Sequence, residues 1–247
     1  MTAGTSVRGA AALAPLLANR DRVAIAARAI EPLLNRVVFT GRQVVPWLET
    51  SPVSSGARPT FAADAVVRVL STGELDRLAA DLRRAGLTHA ARTAMSDRWV
   101  VNESVTLDFT YVSGDESDPG AVWLEYASLL TTAVNVGTAD QPLSARITGA
   151  PALVALDWAA YRASGESALD SGELEDIVAL VATRAEIVRE IGAAPPELRT
   201  FVAGETRRFL ESGSAPHVIR SAVPDARRLP AITARVMERL RSIASPG

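Results

Sequence analysis

The chain of 247 residues has no cysteine and no lysine, only two histidines, and 5% aromatic residues. Each shortage closes a route. Without cysteine there are no disulfides, thiolate metal sites or cysteine nucleophiles. All 26 basic residues are arginine, which excludes Schiff-base chemistry and a Walker-type phosphate lysine. His89 and His217 lie far apart, which argues against a His-based metal site and a Ser-His-Asp triad. The longest apolar runs, such as Ile177 to Val181, fall short of the roughly 18 residues a membrane span needs. Ala10 to Leu17 is apolar but short, is interrupted by Pro15, and lacks a basic flank and cleavage site. The expectation is a cytoplasmic chain with no membrane partner. Carboxylates, hydroxyls and arginines remain to carry any chemistry.

What is present is ordinary globular composition: 48% hydrophobic, 22% charged, net charge −2 and an isoelectric point near 5.8. The length suits one large domain or a domain with an appendage. With few aromatics, the interior must rest on Ala, Val, Leu and Ile. Leu13, Leu16, Leu17, Val23, Ala27, Ile30 and Leu33 recur near the 3.6-residue period and predict helices up to about Asn35. Residues 36–40 form a β-rich run ending at Gly41, and Arg42 to Leu48 returns to helical spacing. A Ser/Pro/Gly loop, residues 50–59, precedes a strand over residues 62–70. Ser71 or Thr72, followed by Glu74, predicts a capped helix that stops at Gly86. Residues 99–101 and 105–112 predict two strands, with Asp108 on the face opposite the larger apolar side chains. An acidic turn (114–120), a helix (121–130) and a last strand (143–147) follow.

From Ala150 onward the pattern predicts helices only: 151–163, 172–191, 196–211 and 229–243. The fold class expected is α/β (α+β), a mixed sheet with flanking helices followed by an all-helical C-terminal region. The domains divide at 1–149 and 150–247. Residues 1–198 hold 17 Arg against 24 acids, net −7, and residues 199–247 hold 9 Arg against 4 acids, net +5. Arg207, Arg208, Arg227, Arg228, Arg235 and Arg239 are thus a candidate basic patch for RNA, weighed against an ordinary solvated helix face.

Three carboxylates on strands near a strand–Gly–helix junction, two alternating on one strand and a third from its neighbour, would make a phosphoryl- or nucleotidyl-transfer site. Two divalent ions about 3.5–4 Å apart must clamp the attacking and leaving oxygens, and a helix start after a glycine turn offers N–H groups to phosphates. The chain carries Val37-Val-Phe-Thr-Gly-Arg42, then Arg58-Pro-Thr-Phe-Ala-Ala-Asp64, then Thr106-Leu-Asp108-Phe. In the order and spacing of these segments it resembles the nucleotidyltransferase family of the abortive-infection, AbiEii-like type, in the polymerase-beta-like superfamily. Arg58-Pro59-Thr60, Ala85-Gly86-Leu87, Trp123, Arg162 and the run from Leu174 to Val178 fall in matching order over roughly Glu31 to Ile191. The resemblance implies Asp64 and Asp108 as catalytic residues and metal ligands. It further implies Gly41, Arg42 and Thr60 as nucleotide- or phosphate-binding residues, Mg²⁺ as the cofactor, and a toxin–antitoxin or phage-defence setting.

The departures decide the functional expectation. Arg42 replaces the second glycine of the family's Gly-Gly pair. The Lys-Asp-x-Asp tetrad reads Phe61-Ala62-Ala63-Asp64, and the lysine of the family's helical part corresponds to Asp157. Even changes behind the metal ligands cost about 10–100-fold at metal sites, so loss of a ligand argues against efficient two-metal catalysis. The leading expectation is an eroded active site that binds a nucleotide, RNA or protein partner, with at most one weakly held ion. The alternatives are an active Mg²⁺-dependent transferase using Asp64 and Asp108, and an interaction module for an antitoxin-like protein. Beside these stand plain structural readings. Asp64 with Arg58, and Asp108 with Arg98, pair at strand edges. Arg42 is a surface residue. His89 and His217 sit in surface loops. Glu173, Glu175 and Asp176 form a solvated face, with Asp176 paired to Arg162.

Overall fold

A computed structural model describes residues 18–51, 53, 60, 62–93, 96–112, 120–227 and 230–245. Leu13, Leu16, Leu17, Arg58, Pro59, Arg228 and most of the acidic turn lie outside them. Among the described residues, seven strands form one mixed sheet in the order β3-β4-β5-β2-β1-β7-β6. They are β1 (Val37–Thr40), β2 (Ala62–Arg68), β3 (Thr88–Arg92), β4 (Ser96–Asn102), β5 (Val105–Val112), β6 (Thr131–Asn135) and β7 (Ser144–Thr148). Two neighbouring pairs, β2 with β5 and β1 with β7, are parallel; the other four are antiparallel.

Strand alternation divides the sheet into two faces. Ala63, Ala65 and Val67 of β2, with Leu107, Phe109 and Tyr111 of β5, are buried on one face. Helix α1 (Asn19–Ala29) packs across β2, β4 and β5. Asp64, Val66 and Arg68 alternate onto the other face, as do Asp108 and Val112. There Val66 and Val112 meet Ala127 and Leu124 of α4 (Ala121–Leu129) and Leu156 of α5 (Ala150–Ser164). Between β1 and β2, Gly41 leads into a 3-10 turn, residues 42–44, and the short helix α2 (Val45–Leu48). Helix α3 (Thr72–Arg84) is fixed by a reciprocal cap. Ser71 Oγ accepts from the Glu74 N–H at 3.2 Å, and Glu74 Oε2 accepts from the Leu70 N–H at 2.8 Å.

The rest is helical: α6 (Gly172–Thr183), α7 (Ile187–Gly192), α8 (Pro196–Glu211), α9 (Ala215–Ala222) and α10 (Pro230–Ala244). One apolar core includes residues from Val23 to Ile243, so the helical region and the sheet share buried surface. Ring contacts carry the seam: Trp123 of α4 stacks on Phe201 of α8 at 4.0 Å, and Trp158 of α5 meets Phe209 edge-on at 5.8 Å.

Several local expectations need correction. Residues 172–191 form two helices, because the chain is extended at Arg184 and Arg239 of α10 donates to the carbonyls of Val181 and Ala182 at 2.7 and 3.1 Å. His89 lies in β3 and His217 in α9, neither in a loop. The His89 ring packs 4.9 Å from Trp99 and lies 3.3 Å from an Asp97 oxygen. Asp97 is 1% exposed; burial pushes its carboxyl up, but hydrogen bonds from Arg92, Tyr111 and His89 outweigh this and hold it low. Asp176 pairs with Arg42, and Arg162 with Glu205, so the Asp176–Arg162 pair is absent.

Candidate functional site

The parallel register sets Asp64 directly opposite Asp108, and the antiparallel register sets Thr40 opposite Asp64. Both carboxyls therefore leave the same face, at the end of β1 where Gly41 turns the chain. That turn requires a glycine: its φ is +74°, and a Cβ at this position would lie 3.1 Å from Asp64 Oδ2.

The electrostatics of the two acids differ. Burial, and then the neighbouring Asp108, push the Asp64 carboxyl up to about 6; a hydrogen bond from Gln43 and the charges of Arg98 and Arg42 oppose that rise. Asp108 is gripped by Arg98, its cross-strand partner on β4: Nε donates to Oδ1 at 2.8 Å and Nη2 to Oδ2 at 2.6 Å. That geometry is the bidentate fork typical of strong arginine–carboxylate pairs.

Gln43, fully buried, was invisible to the motif reading. Its Nε2 donates to the Thr40 carbonyl and, at 3.1 Å, to the Asp64 carbonyl, so it clamps the Gly41 turn to β2. Its Oε1 and the Thr40 hydroxyl are buried with no hydrogen-bond partner among the described residues. The only sequence signal for Gln43 is a single amide at the head of an apolar run, Val44-Val-Pro-Trp-Leu48.

Arg42 crosses from the sheet to the helical region. Its Nε lies 2.8 Å from both oxygens of Asp176, and its Nη2 donates to the Gly172 carbonyl at 3.0 Å. Beside it, burial and then the charges of Asp176 and Glu173 raise the Asp157 carboxyl well above its ordinary value, while Arg42 opposes this. Glu173 and Glu175 are half-buried, and Glu175 accepts from the Ser221 hydroxyl at 2.7 Å. This part of α6 is packing surface rather than a solvated face. The Thr60 hydroxyl is committed to the Ala62 carbonyl at 2.8 Å, and its N–H to Asn19 Oδ1 at 3.1 Å.

These residues do not fit a two-metal centre. Ala62 occupies the same-face position two residues before Asp64 and offers no oxygen from its side chain. Both oxygens of Asp108 already accept from Arg98. Among the described residues no group of three or more His, Cys, Asp or Glu is placed to hold a metal ion.

Four arginines of the candidate basic patch, Arg207, Arg208, Arg227 and Arg239, are individually anchored. Arg207 donates to the Ala244 carbonyl at 2.7 Å, Arg208 pairs with Glu205, and Arg227 donates to the Arg220 carbonyl at 2.8 Å. Arg239 is spent on the end of α6, next to the charge of Arg235. Among the described residues no helix is long and apolar enough to cross a membrane.

No family model matches the chain, and no curated protein matches it. Among solved structures, it is similar to an antigenic nucleotidyltransferase-like protein from Paracoccidioides brasiliensis. That match has 14% identity and a TM-score of 0.50, and covers 83% of this chain and 94% of the other. A second similar structure, of the antibiotic-resistance factor ANT(2'')-Ia, covers 79% of this chain and 94% of the other at 15% identity and a TM-score of 0.42. The first likeness shows the fold: it is nucleotidyltransferase-like.

Proposed function

We propose that this chain is a non-catalytic nucleotidyltransferase-fold protein of the AbiEii-like type, which works by binding a nucleotide in the Asp64–Asp108 cleft rather than by transferring a nucleotidyl group. The reading rests chiefly on the Arg98–Asp108 fork, which gives Asp108 a cation from within the protein. Arg42, tied to Asp176, contributes a second positive charge close to Asp64. Charges that a catalytic site leaves for metal and phosphate are here met by side chains. The reading places the protein in the cytoplasm, in a toxin–antitoxin or phage-defence setting. A protein partner or RNA on the arginine-rich helices of residues 199–247 is the competing mode of action.

One observation favours a second reading, a weakly active transferase with one Mg²⁺. Asp64, unlike Asp108, is left without an ion-pair partner among the described residues, and its raised carboxyl would be relieved by a divalent cation. Isothermal titration of Mg²⁺ with each nucleoside triphosphate, alongside an assay for released pyrophosphate, separates the two. The expected result is nucleotide binding that Asp64→Ala weakens, with no pyrophosphate released. Release of pyrophosphate that Asp64→Ala abolishes would install the enzyme reading.

A further inference from the structure

Four residues beyond Asp64 along β2 (~13 Å at about 3.3 Å per residue), the same sheet face carries Arg68. Val66 lies between them, opposite Val38 of β1, and Val38 is in register with Arg146 of β7. Arg36 immediately precedes β1. Three guanidiniums, from β2, from β7 and from the residue before β1, therefore converge on a cavity of about 300 Å³, bounded on one side by Ser128 and Leu129 at the end of α4. Among the described residues no acidic side chain lines this cavity.

The arginines are poorly satisfied where they stand. Arg146 donates from Nη2 to the Asn35 carbonyl at 2.7 Å, but its Nε is buried with no partner among the described residues. Arg36 lies 3.6 Å from Asp81 and Arg68 3.4 Å from Glu125, both long contacts to carboxylates outside the cavity. A guanidinium presents five N–H donors, and among the described residues few of the donors of these three are bonded. The C-terminal end of α4 favours cations, which helps the three charges tolerate one another. The two acids stay outside the cavity. An anion with several acceptor oxygens would satisfy all three arginines inside the cavity.

We propose that Arg36, Arg68 and Arg146 form a binding site for the phosphate group of a small phosphorylated compound, separate from the Asp64–Asp108 cleft. Arginine forks match the oxygen spacing of a phosphate, and the cavity has room for a diphosphate or a phosphomonoester with a small organic group.

The test is calorimetric titration of the full chain with inorganic pyrophosphate and with inorganic phosphate, without divalent metal. Both bind, pyrophosphate the tighter, and raised salt weakens them. Arg146→Gln and Arg68→Gln each weaken pyrophosphate binding by about tenfold, and Asp64→Asn leaves it unchanged. Arg68 is largely exposed, so its variant folds even if the Arg146 variant does not. No heat of binding with either anion, or binding indifferent to Arg68→Gln, overturns the site. So does an RNA oligonucleotide that needs these arginines while pyrophosphate fails to bind, because the ligand is then a nucleic-acid backbone.

Discussion

Arg42 and Asp176, 134 residues apart in sequence, form an ion pair with Arg42 Nε 2.8 Å from each carboxylate oxygen. Their side chains are 19% and 12% exposed, so the pair is largely shielded from solvent. It joins the turn after β1 to the first turns of α6. An arginine after the strand-ending glycine looked like a phosphate contact or a surface residue. Its observed place is a strut between the sheet and the helical region.

Breaking that strut should cost stability, because removing one member leaves the other charged and shielded. Asp176→Asn is expected to lose about 2 kcal/mol, and Arg42→Gln a comparable amount. The double variant should lose clearly less than the two losses added together, as for any interacting pair. Urea denaturation of the four proteins checks this; strictly additive losses would show that the two side chains do not interact.

How much of this was legible beforehand follows from position in the sheet. Strands β1, β2 and β5 are central, and their β-branched runs announce them. Strands β3 (Thr-His-Ala-Ala-Arg) and β6 (Thr-Thr-Ala-Val-Asn) are the two edges of the sheet. Each is mostly exposed along its length and buries no residue fully, so neither shows a hydrophobic alternation. Pairing with β4 and β7 makes them strands, and that is tertiary information. The same holds at the junction between α6 and α7, where an arginine more than fifty residues away caps the helix end.

The candidate site was legible to a similar degree. The placement of Asp64 and Asp108 follows from strand alternation and the order of motifs. The partners of Arg42, and the clamp made by Gln43, depend on contacts with segments that no local spacing specifies. Arg68 and Arg146 lie on two different strands and Arg36 just before a third, and they converge only once the sheet order is known.

The Asp64 carboxyl should make stability depend on pH in a defined direction. Its value rises from 3.8 to about 6 on folding, so between those values the folded chain binds more protons than the unfolded chain. Asp64 therefore favours folding most below pH ~4, and that contribution is lost as the pH rises through 6. The shift is worth at most about 3 kcal/mol at ~1.4 kcal/mol per unit, and the remaining solvent screening of this partly buried group reduces it to roughly half. Asp64→Asn should then be about 1–2 kcal/mol more stable than the parent at pH 7.5 and no more stable at pH 4. Paired unfolding curves at the two pH values measure this. Equal differences at both would mean that Asp64 titrates normally.

Arg98 should be the residue that keeps metal away from the two acids. Arg98→Gln leaves Asp108 facing Asp64 without its cation, so a divalent ion becomes the best remaining compensation. Adding Ala62→Asp supplies the missing carboxylate on the same face. The double variant should bind Mg²⁺ at least tenfold more tightly than the parent, given the cost of altered shells at metal sites. If its calorimetric affinity equals that of the parent, the cleft is not a decayed metal site.

Gly41 should be the least replaceable residue of the cleft. Its φ of +74° and ψ of −169° fall in a region that residues with a Cβ almost never adopt. An added methyl would also sit 3.1 Å from Asp64 Oδ2 and 3.4 Å from Gln43 Oε1, so it strains the turn and crowds the carboxyl together. Gly41→Ala is expected to cost about 2–3 kcal/mol, a sum of backbone strain and the displaced clamp. The methyl also excludes water from one side of Asp64, which raises its carboxyl above 6 by added desolvation. The loss of stability should therefore be larger at pH 8 than at pH 5, because only the ionised carboxylate suffers from the lost water. A loss independent of pH would confine the damage to the backbone and separate the glycine from the state of Asp64.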